Sequence, residues 1–180
     1  LSETGCYANT ETHTLAPSVV PYQVNVPFWS DEAEKNRAFA LPAGQTMGVR
    51  PLGEGFDFPT ESVLIKTFYL TSLNGIKRRF ETRLMHKSSR GWLGYTYRWD
   101  DDERDAILLT GPASYPYEGP RGSQNWSFLS SSACVKCHTQ ASNYALGLEI
   151  SQLNRRVELP NGDEYDQLNA WANAGYIYLN

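Results

Sequence analysis

The stretch from residue 62 to residue 99 limits the fold of this chain more than any other. It reads "SVLIKTFYLTS", then Asn74-Gly75, then "IKRRFETRLMHK", and after "SSRG" it continues "WLGYTYRW". β-branched and aromatic residues suit a pleated, half-buried surface, and Asn-Gly supplies the positive backbone angles of a tight hairpin. The pattern predicts a three-stranded antiparallel meander. A short fourth strand is expected at "AILLT", after the acidic run Asp100, Asp101, Asp102, Glu103 and Asp105, which reads as a solvated turn. Alternation along the second strand puts Phe80, Thr82, Leu84 and His86 on one face and Arg79, Glu81, Arg83 and Met85 on the other. The Phe/Leu face is the expected core face.

Around this meander the chain changes character. Pro17, Pro21, Pro27, Pro42, Pro51 and Pro59 rule out long helices before residue 60. They leave room for one helical turn at "SDEAEKNRAFA", with Ser30 as its N-cap. Residues 111 to 132 read as loop. The tail suggests short helical turns over "ASNYALGLEISQLNRR". A helix over "DEYDQLNAWANAGYI" would place Leu168, Trp171, Ala172 and Gly175 on one face. The expected fold class is α+β, an antiparallel meander with long loops and short helices, in one domain over 1–180. Residues 1–60 form an irregular wrapping segment, 61–110 the meander, and 111–180 a loop, a cysteine motif and the C-terminal helix. At 180 residues the chain can bury one sizeable core.

Charge excludes some functions. With 16 Lys and Arg against 20 Asp and Glu there is no basic footprint for nucleic acid. "KRR" at 77–79 reads as a solvated strand face. No run approaches the ~18 apolar residues of a membrane helix. The chain opens without a basic start or an apolar run, so an exported protein would be present here as a mature form or an excised domain. No nucleophile stands at a recognisable spacing from a base, and no Gly-rich phosphate loop follows a strand. A catalyst is therefore not the first expectation.

The chemistry is concentrated in "SSSACVKCHTQAS", residues 130–142. Structural zinc needs four ligands, and Cys6, His13 and His86 offer no second close pair to join Cys134, Cys137 and His138. A thioredoxin-like dithiol opens a helix after a strand in a βαβ unit, which is absent here. A Cys134–Cys137 disulfide would close a very short loop to little purpose. The C-x-x-C-H run is the attachment signature of c-type haem. Two thiols three positions apart reach the two vinyl groups of one porphyrin, and the adjacent imidazole can coordinate iron from beneath. The motif therefore predicts one haem c, covalently held by Cys134 and Cys137, with His138 as proximal ligand.

Longer stretches point the same way. "PYQVNVPFWSDEAEKNRAFALP", "FDFPTESVLIKTF", "RRFETRL", "GWLGYTYRWDDDERDA" and "CVKCHTQASNYALGLEISQLN" together resemble a family of bacterial exported monohaem c-type cytochrome domains. Members are often fused to quinoprotein sugar-dehydrogenase-like propellers or to other cytochrome domains. The resemblance runs from about residue 1 to 171. It implies electron transfer with redox partner proteins or other cytochrome domains, in a homo- or hetero-oligomer or alone. Thioether haem also implies a periplasmic or extracellular location.

The resemblance names no sixth iron ligand. Met or His usually completes a low-spin site, and Met raises the potential relative to His. His86 is the first expectation because it shares the Phe/Leu face. Met85 is the alternative if a bulge exchanges the two faces, and Met47 or His13 follow. With none of these bound, the iron would be five-coordinate, and the protein a peroxidase-like enzyme or gas sensor. A structural subunit of a multi-cytochrome assembly is the remaining alternative.

Overall fold

A strand covered on both faces reads as a near-continuous apolar run, and "VLIKTFYL" is such a run. The computed structural model describes residues 1–51 and 55–178 and places this segment in the middle of a large antiparallel sheet. The chain begins with a small hairpin, β1 (Tyr7–Asn9) and β2 (Thr14–Leu15), followed by β3 (Val19–Tyr22) and β4 (Glu34–Ala40). A two-stranded pair, β5 (Gly48–Val49) and β6 (Phe56–Asp57), precedes the meander of β7 (Val63–Thr71), β8 (Lys77–Ser88), β9 (Gly91–Trp99) and β10 (Ala106–Leu108). The hairpin β11 (Ala113–Gly119) and β12 (Gly122–Phe128) leads to helix α1 (Ser131–Cys134). Helix α2 (Ile150–Leu153), the pair β13 (Arg156–Glu158) and β14 (Glu164–Asp166), and helix α3 (Gln167–Asn173) complete the described chain. The large sheet runs β10-β9-β8-β7-β4-β3.

Both faces of this sheet are cored. On one, Phe39, Leu64 and Met85 pack with Leu148, Leu153 and Trp171 from the C-terminal segments. On the other, Ala38, Ile65, Leu84 and Trp99 pack with Cys6 and Tyr7. Thr67 and Thr82 are buried within that second core. Their hydroxyls lie 2.8 Å apart, and Thr82 Oγ1 accepts from Trp99 Nε1 at 2.9 Å, so no buried polar group there is left unpaired. A third cluster joins Phe68 and Leu70 to Trp126 and Phe128 of the β11–β12 hairpin.

The α+β expectation is corrected to a β-rich fold. Among the described residues the three α-helices span four, four and seven residues, whereas a six-stranded sheet carries the core. The expected turn at "SDEAEKNRAFA" is instead β4, which is held between β3 and β7 in unbroken register from Glu34↔Tyr69 to Ala40↔Val63. Pairing with a strongly strand-forming neighbour overrides a weak local preference. The "loop" at 111–132 is mostly the β11–β12 hairpin. Pro116 disguises it in sequence, but a two-stranded ribbon has free edges where a missing N–H costs nothing. The meander and the fourth strand stand where expected. The C-terminal helix is shorter than the 163–177 pattern: Glu164–Asp166 is strand β14, the helix spans Gln167–Asn173 with Leu168 and Trp171 buried, and Gly175 lies beyond its end.

Candidate functional site

The cysteine motif begins in the single turn of α1 and continues as a helix-like turn. Cys134 O accepts from His138 N at 3.0 Å and from Cys137 N at 3.3 Å. Helical winding is what brings thiols three positions apart to one side of the backbone. Cys134 is buried, Cys137 is exposed, and both thiols are free. Burial pushes the Cys134 thiol above its ordinary value.

α1 packs directly on β9, and Gly94 makes this possible. A Cβ at residue 94 would lie 2.6 Å from Cys134 Sγ and 3.3 Å from Met85 Sδ. No side chain fits that space, so the glycine sets how closely the motif approaches the sheet.

His138 is oriented from behind. Its Nδ1 donates to the backbone carbonyl of Tyr144 at 2.7 Å, which leaves the Nε2 lone pair free. An imidazole that ligates metal is commonly held this way. The carbonyl is presented by a tight turn in which Asn143 (φ 48°) and Tyr144 (φ 60°) both take left-handed backbone angles. Such angles are unfavourable for non-glycine residues and persist where surrounding contacts hold them. Here Asn143 Nδ2 donates to Phe56 O at 2.9 Å and to Asp57 Oδ1 at 2.8 Å, tying the turn to β6. Burial lowers the His138 pKa and nearby Lys66 and Arg83 lower it further, against the opposing hydrogen bond to Tyr144. The ring is therefore held neutral, the form that ligates.

Cys134, Cys137 and His138 line one cavity of about 330 Å³, within the range of roughly 300–1,000 Å³ usual for cofactor pockets. Leu64 and Met85 form part of its apolar wall, and Val26 and Phe28 its rim. Phe28 is 72% exposed, so the rim presents apolar surface that none of the described residues covers. A larger hollow of about 600 Å³ is lined by Tyr7, His13, Thr67 and Arg155, and it includes neither cysteine of the motif nor His138.

The sequence expectations for the sixth ligand separate here. Met85 lines the cavity. His86, one residue on, belongs to the opposite face of β8, where its Nε2 lies 2.8 Å from Glu61 Oε2. The face argument assumed a single core face, whereas both are buried. A bulge between Phe68 and Tyr69 also opposes them to Glu81 and Arg79, which leaves Phe80 unpaired. Phe80 packs on Phe128 and Trp126, and so does not mark the face of Leu84. Met47 is fully buried in the Leu148 and Trp171 cluster, bridged to Ile177. His13 packs on Tyr7, Tyr69 and Trp99, outside the motif's cavity. Glu81 and Arg83, on the cavity face of β8, pair with each other at 2.6 and 2.8 Å, and Glu81 also accepts from Trp126 Nε1.

Among the described residues no group of three or more His, Cys, Asp or Glu converges, so a protein-only zinc site has no ligand set. The donor set suits haem c: two unbridged thiols, one oriented imidazole and a partly apolar cavity beside them. No protein-family model, characterised protein or solved structure matches the chain. Among the described residues no helix is long and apolar enough to cross a membrane.

Sequence reasoning missed the residues that hold the motif and those that charge the cavity. Asn143 and Tyr144 carry no motif. Lys35, Arg37, Lys66 and Arg83 are scattered in sequence, and only strand pairing brings them to one wall.

Proposed function

We propose that this chain is a monohaem c-type cytochrome domain that carries single electrons. The observation that carries the reading is His138: its Nδ1 is committed to Tyr144 O while its ring borders the cavity shared with both thiols. Cys134 and Cys137 would hold the haem by thioethers, each S–H adding across one vinyl C=C with sulfur to the carbon beside the ring and hydrogen to the terminal carbon. The addition needs reduced cysteines and no oxidant, and both cysteines are unbridged. When bound, the haem supplies a one-electron iron couple. The protein would hold it, exclude water from one side and set its potential through ligand and burial.

For the sixth position we propose Met85, because it lines the cavity and His86 does not. Exposure of Cys137 leaves the thioether edge near the surface, the arrangement an electron carrier needs towards a redox partner protein or another cytochrome domain. Attachment by thioether is completed outside the cytoplasm, so the reading carries with it an exported, periplasmic or extracellular protein. The resemblance to bacterial exported cytochrome domains supports the same conclusion on sequence motifs alone.

The test is a visible spectrum of protein produced with haem-attachment machinery, oxidised, reduced, and reduced under CO. The carrier reading expects sharp reduced bands that ignore CO. Met85→Ala should convert them to a CO-responsive, high-spin form, while His86→Ala leaves them unchanged. A native protein that already binds CO would overturn the carrier in favour of a five-coordinate enzyme or sensor. A product without a Soret band would overturn the haem reading altogether.

A further inference from the structure

Strand register places a line of cations across the sheet face that carries the motif's cavity. Tyr22 opposes Arg37, Arg37 opposes Lys66, and Lys66 opposes Arg83, on β3, β4, β7 and β8 in turn. Lys35 lies two residues before Arg37 and on its face, and all four cations line the cavity. Directly opposed like charges repel across a sheet, so three in a row is an arrangement that a stable sheet does not adopt without compensation.

Internal compensation accounts for only one of them. Arg83 is neutralised by buried Glu81. Among the described residues Arg37, Lys66 and Lys35 make no ion pair. Arg37 Nη1 donates only to Lys35 O, at 3.3 Å, and Lys35 Nζ donates to the carbonyls of Phe28 and Ala33. Glu149 lines the cavity too, without pairing to any of them. Burial first, and then the neighbouring cations, bring the Lys66 and Lys35 ammonium groups down to about 8. Among the described residues these cations lack an anionic partner.

We propose that Arg37 and Lys66, flanked by Lys35 and Arg83, are a carboxylate clamp that holds the propionates of the haem whose other edge is fixed at Cys134 and Cys137. The inference rests on the haem reading above. The geometry distributes one flat ligand over one wall: apolar Leu64 and Met85 toward Gly94 and Cys134, and cations one step along the strands. A guanidinium beside an ammonium suits two carboxylates on a single porphyrin edge. The clamp also explains why an electron carrier tolerates a repulsive row: bound propionates turn it into a set of charge-assisted hydrogen bonds.

The experiment titrates the reduced apo chain with iron protoporphyrin IX and with its dimethyl ester, followed by the Soret band and by quenching of tryptophan fluorescence. The free acid should bind at least about tenfold more tightly than the ester, the worth of one charge-assisted hydrogen bond or more. In Arg37→Gln/Lys66→Met, checked for a native near-UV spectrum, the two affinities should converge, and Lys66→Arg should restore the difference. Equal affinities in the native chain would overturn the clamp and leave the haem reading intact. Discrimination that survives the double variant would also overturn it. Binding of neither porphyrin would overturn both readings. Succinate that competes at the porphyrin's own concentration would reassign the row to a free dicarboxylate.

Discussion

At the scale of single residues, environment overrides type. The chain has three histidines, and neighbours give each a different chemistry. His138 is oriented through Nδ1, His86 pairs with Glu61, and His13 is enclosed by aromatic rings. Burial, and then Arg79, bring the His13 pKa down to about 4 from its ordinary value near 6.5. As pH falls, the unfolded chain takes up this proton first, so the contribution is complete above about 6.5 and is lost progressively toward 4. The urea midpoint should therefore drop between pH 7 and pH 5 by more in the native protein than in His13→Gln; equal drops would remove His13 from the account. Gly94 shows the same dependence in steric form. Gly94→Ala drives a methyl group into Cys134, and about 1–3 kcal/mol of stability should be lost in chemical denaturation.

At the scale of elements, the parts most open to sequence reading were those whose partners are their sequence neighbours. β7, β8 and β9 pair with one another through short turns, so alternation and Asn74-Gly75 were enough to find them. β4 was hidden because its hydrogen bonds go to β3 and β7, and Glu34–Ala40 carries charge at every position that faces the cavity except Phe39. α3 was visible through its apolar spacing, but what anchors it was not. Gln167 is fully buried. Its Oε1 accepts from Gln23 N at 2.9 Å, and its Nε2 donates to Gln23 O and Leu153 O, each at 3.1 Å. This one side chain ties the arm before β4 to the C-terminal helix. Gln167→Leu should cost about 1–3 kcal/mol for each backbone group left unpaired, measured as a shift of the urea midpoint at unchanged slope. A neutral result would show that water replaces the amide.

For the whole molecule, one sheet supports two cores and the candidate site together. The cavity wall and the aromatic cluster around Trp99 lie on opposite faces of β7 and β8, so neither face can come apart without losing the ladder that orders the other. Unfolding should be a single transition, with near-UV and far-UV circular dichroism coincident in urea. An earlier near-UV transition would mean that the two faces melt separately.

The sequence alone determined the meander, the C-terminal amphipathic turn and the two thiols and imidazole of "CVKCH". Each of these depends on residues close together along the chain, where spacing translates directly into geometry. The tertiary structure decided the β-rich class, the cavity side of β8 that includes Met85 and leaves out His86, and the alignment of Arg37, Lys66 and Arg83. Those features depend on which strands become neighbours, where the bulge beside Phe80 falls and which face is covered by which distant segment. A period of two residues reports that a strand has two faces. Only the packing of the rest of the chain against them decides which face receives a ligand.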